Sequence, residues 1–107
     1  MVEEMPAEEV SELLRQGSPA IMLLDVREHD ERATARIEPS LHIPMHEVPR
    51  RLAEIPGNRK IVVYCHHGGR SALVASFLEA RGYRDVVNLS GGIDDWSVAV
   101  DRKVPRY

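Results

Sequence analysis

Apolar and polar positions come in blocks along this 107-residue chain. Four short apolar runs stand out: "AIMLLDV" from Ala20, "LHI" from Leu41, "KIVVYC" from Lys60 and "DVVNL" from Asp85. Each has the length of a strand, and the first is continuous enough to be buried on both faces of a sheet. In the third, Ile61, Val62 and Val63 are β-branched and Tyr64 also favours strands, so it reads as a central strand. "LHI" is ended by Pro44.

Between these runs the period changes. "AEEVSELLRQG" places Val10, Leu13 and Leu14 on one helical face and stops at Gly17, with Pro6 suited to its first turn. "HEVPRRLAEI" lines Val48, Leu52 and Ile55 along one side and closes at Pro56-Gly57, which predicts a helix. "RSALVASFLEARG" sets Leu73, Val74, Phe77 and Leu78 at core spacing, with Gly82 at the C-cap. In the polar stretch "EHDERATARIEPS", Asp30 and Glu31 are available to open a short helix. Asp94 or Asp95 can open another after the glycine turn of "SGGIDDW", packing Trp96, while the tail "DRKVPRY" reads as an irregular terminus.

Strands alternating with helices predict an α/β fold of three layers, a central parallel sheet with helices on both faces. The length suits one domain over residues 1–107, and no repeat or linker interrupts it. The composition, 43% hydrophobic and 29% charged, is that of an ordinary globular chain. A net charge of -3 gives no basic footprint for nucleic acid. No apolar run approaches the roughly 20 residues that span a bilayer, so no membrane partner is expected. The acidic start "MVEEMPAEEV" lacks a signal-peptide core, which points to the cytoplasm.

The only cysteine is Cys65, which excludes an internal disulfide and a multi-cysteine metal site and fits a reducing compartment. It stands where the third strand ends and "CHHGGRS" leads into a helix. In such folds, ligands bind beyond the carboxyl ends of the strands. Gly68 and Gly69 can curl the backbone with positive φ and turn successive N–H groups inward. Together with the unpaired first turn of the next helix, those groups form an anion cradle. A free thiol with a pKa of about 8.5 is only about 3% thiolate at pH 7. Thiols near helix N-termini or cations ionise with values of roughly 3.5–7.5. The loop, with Arg70 and the His66-His67 pair beside it, therefore predicts a reactive sulfur nucleophile. Alone, a cysteine after an apolar strand is more often a small buried residue. Two histidines, two glycines and an arginine fit that explanation badly, and metal binding lacks further ligands at suitable spacing.

These segments resemble a single-domain rhodanese over nearly the whole chain. The matching motifs are "LLDVRE" (23–28), "LHIP" (41–44), "VVYCHHGGRSALVASFLEARGY" (62–83) and "VVNLSGGIDDW" (86–96). The resemblance implies a thiosulfate sulfurtransferase in which Cys65 takes a sulfane sulfur, becomes a persulfide and yields the sulfur to a thiophilic acceptor such as cyanide or a thiol. That is covalent nucleophilic catalysis with ping-pong kinetics. It also implies that the N–H groups of His66, His67, Gly68, Gly69, Arg70 and Ser71 hold the persulfide, with Arg70 and the histidines attracting an anionic donor. No metal or organic cofactor is implied. Asp25 and Arg27 can brace the active-site loop from the neighbouring strand or simply cap and solvate a strand end. One departure is "ARIEPS", where Ala35 and Arg36 replace the family's Gly-His, a change in a supporting loop rather than in the chemistry.

Two other functions compete. A cysteine phosphatase or arsenate reductase also pairs a thiolate with a helix-terminal loop. Cys65 and Arg70, however, enclose only the four residues "HHGG", one fewer than a phosphatase loop holds. The alternative of a different class is a persulfide carrier or regulatory interaction module that exchanges sulfur with a protein partner and turns over little free thiosulfate. Regulatory versions commonly lack the cysteine, which this chain keeps.

Overall fold

A computed structural model describes residues 2–17 and 20–107. Five parallel strands form one sheet in the order β1-β5-β4-β2-β3. They are β1 (Glu3–Pro6), β2 (Ile21–Asp25), β3 (Leu41–His42), β4 (Lys60–Tyr64) and β5 (Val86–Ser90). The helices are α1 (Ala7–Arg15), α2 (His29–Thr34), α3 (Gly69–Ala80) and α4 (Gly92–Ala99). The α/β expectation, with helices on both faces, holds, and the run "KIVVYC" is the middle strand. Among the described residues, no helix is long and apolar enough to cross a membrane.

The period of two along β4 divides the core. Val62 and Tyr64 face a cluster with Val10 of α1 and Ile93 and Trp96 of α4. Ile61, Val63 and Cys65 face the opposite cluster, with Val74 and Leu78 of α3 and Val48 and Ile55 of the preceding segment. The chain runs from β2 outward to β3 and from β4 outward to β5, so the strand order reverses between β2 and β4. At that switch point neighbouring connections diverge and leave a crevice beyond the strand ends. Residues 26–27 and 65–71 open onto it.

The structure departs from the sequence pattern in five places. Glu3–Pro6 is an edge strand beside β5, not merely the lead-in to a helix, and Pro6 is the extended N-cap of α1 rather than part of its first turn. A four-residue strand with Met5 as its single buried position leaves too short a pattern to read. "HEVPRRLAEI" is two 3₁₀ segments, Met45–Glu47 and Pro49–Glu54, because Pro49 and a non-helical Arg51 interrupt any longer helix. Leu73 is 64% exposed, since α3 turns Val74 and Leu78 inward and leaves Leu73 on its outer side. Gly69, expected to share the curl of Gly68, is the first residue of α3 and is not left-handed. The tail is irregular, yet Val104 packs on the α1–α4 cluster and Tyr107 reaches the crevice.

At the end of β2, Asp25 and Arg27 are both fully buried. Arg27 gives Asp25 its backbone N–H, Nε and Nη2 at 2.9–3.0 Å. Arg32 and the Tyr64 hydroxyl add donors at 3.1 Å. Burial alone would raise the Asp25 pKa, but the Arg27 bonds and charge, helped by Arg32, hold it below the ordinary carboxylate range. The rest of the guanidinium bonds the carbonyl oxygens of Ala35 and Glu31. Ala35 is in extended backbone, φ -159, so no glycine is required there, and the departure at Ala35-Arg36 fits without strain.

Removing one partner should therefore be costly. Arg27→Met is expected to lower unfolding free energy by about 3–5 kcal/mol, since it strips a buried carboxylate of its main partner and leaves it only Arg32 and the Tyr64 hydroxyl. Urea denaturation at neutral pH measures this, and a loss below about 1 kcal/mol would make the pair dispensable. The depressed Asp25 pKa means the unfolded chain binds its proton first as pH falls. Its stabilising contribution is complete above about pH 4 and is lost as pH drops below it, a share of acid sensitivity that Asp25→Asn should lack.

Candidate active site

β4 delivers Cys65 to the crevice with its sulfur turned toward the start of α3. The residue is 1% exposed. The N–H of Gly68 reaches Sγ at 3.1 Å and the N–H of Ser71 at 3.3 Å. Gly68 makes this possible: at φ 110 it reverses the chain so that a loop amide and one from the first turn of α3 converge on one sulfur. Convergent donors of this kind favour negative charge on the atom they surround.

The opposite side of the loop is held by α4. Ile93 N–H donates to the Cys65 carbonyl at 2.9 Å and Asp94 N–H to the His66 carbonyl at 3.2 Å. Amides at the start of a helix have no partner within it, and here they take up the loop's carbonyls. Gly92 sits against both carbonyls at φ 61, and a Cβ there would collide with the His66 oxygen and stand 2.5 Å from that of Cys65. The close approach demands glycine.

Ser71 contacts Sγ through its hydroxyl as well, at 3.3 Å. Asn88 donates its amide to the Glu4 carboxylate and the Gly68 carbonyl, each at 3.1 Å, which turns Oδ1 toward Ser71. The one proton of the Ser71 hydroxyl is thus shared among three neighbours, Asn88 Oδ1, the Gly68 carbonyl and the Cys65 sulfur. An edge-strand residue, Glu4, thereby braces the Asn88 side chain beside the loop.

Arg70 and the histidines turn elsewhere. Arg70 grips Glu31 of α2 with two bonds, 2.6 and 2.9 Å. Glu31 also accepts from the Glu28 N–H at 3.1 Å and the Tyr107 hydroxyl at 2.8 Å. The Arg70 bonds above all, against the cost of burial, hold its carboxyl at about 2. Glu31 in turn raises the Arg70 pKa further, with Cys65 contributing in the same direction. The His66 ring stacks between His67 at 4.0 Å and Tyr107 at 3.9 Å. His67 is exposed. The Tyr107 hydroxyl accepts from Arg27 at 2.9 Å, so Asp25 and Arg27 reach the loop through the tail. Burial, opposed by the Arg27 bond, pushes Tyr107 up to about 12.

The Rhodanese-like domain family model matches residues 6–99. The chain belongs to that family. It is 39% identical over 97 residues to a sulfurtransferase of Allochromatium vinosum, covering 91% of this chain and 90% of the relative. It is 30% identical over 92 residues to a thiosulfate sulfurtransferase, GlpE, of Pseudomonas savastanoi, covering 86% and 84% respectively. A rhodanese-like domain protein from Staphylococcus aureus has the same fold, with TM-score 0.86 over 99% of both chains at 30% identity. These relatives support a rhodanese-like sulfurtransferase in general.

Of the residues that the sequence placed in the site, Cys65, Gly68 and Ser71 share hydrogen bonds, and Arg70 and His66 line the loop while facing Glu31 and Tyr107. Gly69 opens α3. Sequence reading missed Glu31, Asn88, Gly92 and Tyr107 as site residues. The second glycine of "SGG" carried a signal for Gly92, whereas nothing local joins Tyr107 to Arg27 across 80 positions.

Gly92→Ala is expected to destabilise the protein by about 2 kcal/mol or more, through left-handed strain and the clash with backbone oxygens. Gly57, where an added Cβ would meet nothing within 4 Å, is the control: Gly57→Ala should stay within about 0.5 kcal/mol. Urea denaturation compares them, and equal effects would remove the close approach as the reason for Gly92.

Proposed function

We propose that this chain is a sulfurtransferase in which Cys65 takes a sulfane sulfur from thiosulfate or an organic persulfide and passes it to a thiophilic acceptor. The observation that carries this reading is the Cys65 sulfur, held by the N–H groups of Gly68 and Ser71 at the entrance to α3. A nucleophilic sulfur needs stabilisation as an anion, and so does the persulfide that it becomes.

In the first step the Cys65 thiolate attacks the outer sulfur of the donor. The donor's S–S bond breaks, and its electron pair leaves with sulfite from thiosulfate or with a thiolate from a persulfide. In the second step cyanide or an acceptor thiolate attacks the terminal sulfur, the new S–S bond breaks, and the Cys65 thiolate is restored. Cyanide leaves as thiocyanate. No net oxidation occurs. The Gly68 and Ser71 amides remain against the sulfur throughout, so the site needs little rearrangement between steps.

Around this chemistry we place one domain over residues 1–107 working in a reducing compartment such as the cytoplasm, where the free thiol persists. Its partners are a small-molecule sulfur donor and a thiophilic acceptor, with a protein persulfide as the other donor. A regulatory module would have no use for the nucleophile in its cradle. The four-residue spacing between Cys65 and Arg70 and the commitment of Arg70 to Glu31 both disfavour phosphoryl transfer.

Cys65→Ser should abolish transfer, because a hydroxyl does not supply the anion at neutral pH. In intact-mass measurements the unaltered protein should gain one sulfur atom from thiosulfate or a persulfide donor and lose it to cyanide. Sulfur uptake by Cys65→Ser, or none by the unaltered protein from either donor, would overturn the reading.

A further inference from the structure

Glu31 lies on α2, outside the Cys65 loop, yet both its oxygens are turned to it. Four donors saturate the carboxylate: two from Arg70, one from the Glu28 backbone and one from the Tyr107 hydroxyl. Its side chain is only 16% exposed. The carboxyl is held at about 2, so it stays charged across any physiological pH. Each terminal nitrogen of Arg70 gives one hydrogen bond to this one partner. The charge that a dianion such as thiosulfate would seek at the loop is already paired with a carboxylate.

The other arginines nearby are paired as well. Arg27 is buried against Asp25, and Arg106 on the tail is paired with Asp94. A surface depression of about 280 Å³ beside Arg70 is lined by Val26 and Met45 together with Glu28 and His46. Glu28 stands 3.9 Å from His46 there, and the apolar side chains suit the uncharged body of an organic donor.

We infer that Glu31 is a specificity-determining residue that acts through Arg70, tuning the site toward organic persulfides without further negative charge and away from thiosulfate. This rests on the sulfurtransferase reading above. The step is the same for either donor: the Cys65 thiolate bonds the outer sulfur, and the S–S bond breaks. What differs is the leaving group, a thiolate on an uncharged body for the persulfide and doubly charged sulfite for thiosulfate. Only the second demands a free cation at the mouth.

The test compares kcat/KM for thiosulfate with that for hydroxyethyl persulfide, in the full chain and in Glu31→Gln. Freeing Arg70 should raise the thiosulfate value about fivefold, the size of a partly exposed ion pair's contribution, while the persulfide value stays within about twofold. The thiosulfate rate of the variant should also fall more steeply as ionic strength rises, a signature that loosened structure does not produce. Tyr107→Phe removes one hydrogen bond from Glu31 but leaves its charge, so it should move the donor ratio by less than about twofold. An unchanged ratio in Glu31→Gln, or an equal change in Tyr107→Phe, overturns the inference while sulfur transfer itself stands. Failure of both donors to load Cys65 overturns the transferase reading and this inference with it.

Discussion

Two hydrogen bonds from the first turn of α4, to the carbonyls of Cys65 and His66, fix which way the Cys65 loop faces. With those two carbonyls anchored on α4, the start of the loop is held in place, and Gly68 at φ 110 turns its own amide and that of Ser71 onto the sulfur. Gly92 is the point at which this contact can be made, because its missing side chain lets the start of α4 close on the loop. The sulfur's environment is thus built from two helix N-termini, one donating to the sulfur and one holding the loop from behind.

A second constraint comes from charge. Asp25 and Arg27 would be costly to bury singly, and they are tolerable because nearly every polar atom of the pair is bonded. Arg27 then serves as a fixed post from which Tyr107 is hung. Tyr107 covers His66 with its ring and supports Glu31 with its hydroxyl, and Glu31 holds Arg70. Stability and site electrostatics meet in this chain of contacts, which links the end of β2 to Arg70.

Much of this architecture was legible in the sequence, and the reasons differ by element. Long apolar runs such as "KIVVYC" announce buried strands because both faces must be apolar, and the period of α3 followed from Val74 and Leu78. The glycine-rich loop after a strand marked Cys65 for a physical reason that the structure displays: backbone amides approach its sulfur. Short elements were lost. β1 has one buried position in four, and Pro49 turns an apparent helix into 3₁₀ pieces. Contacts between distant residues were lost as well, since a tail that pairs Tyr107 with Arg27 and Glu31 leaves no periodic trace. The charge on Arg70 could be read from sequence, but its neutralisation by Glu31 could not.

The central claim is that the Gly68 and Ser71 amides hold the Cys65 sulfur on which the persulfide forms. Amide chemical shifts, recorded by NMR before and after loading with a persulfide donor and again after cyanide, test it most directly. The account predicts that the largest shifts fall on Gly68 and Ser71 and reverse when cyanide removes the sulfur. A sulfur-loaded protein in which those two amides do not move would contradict it.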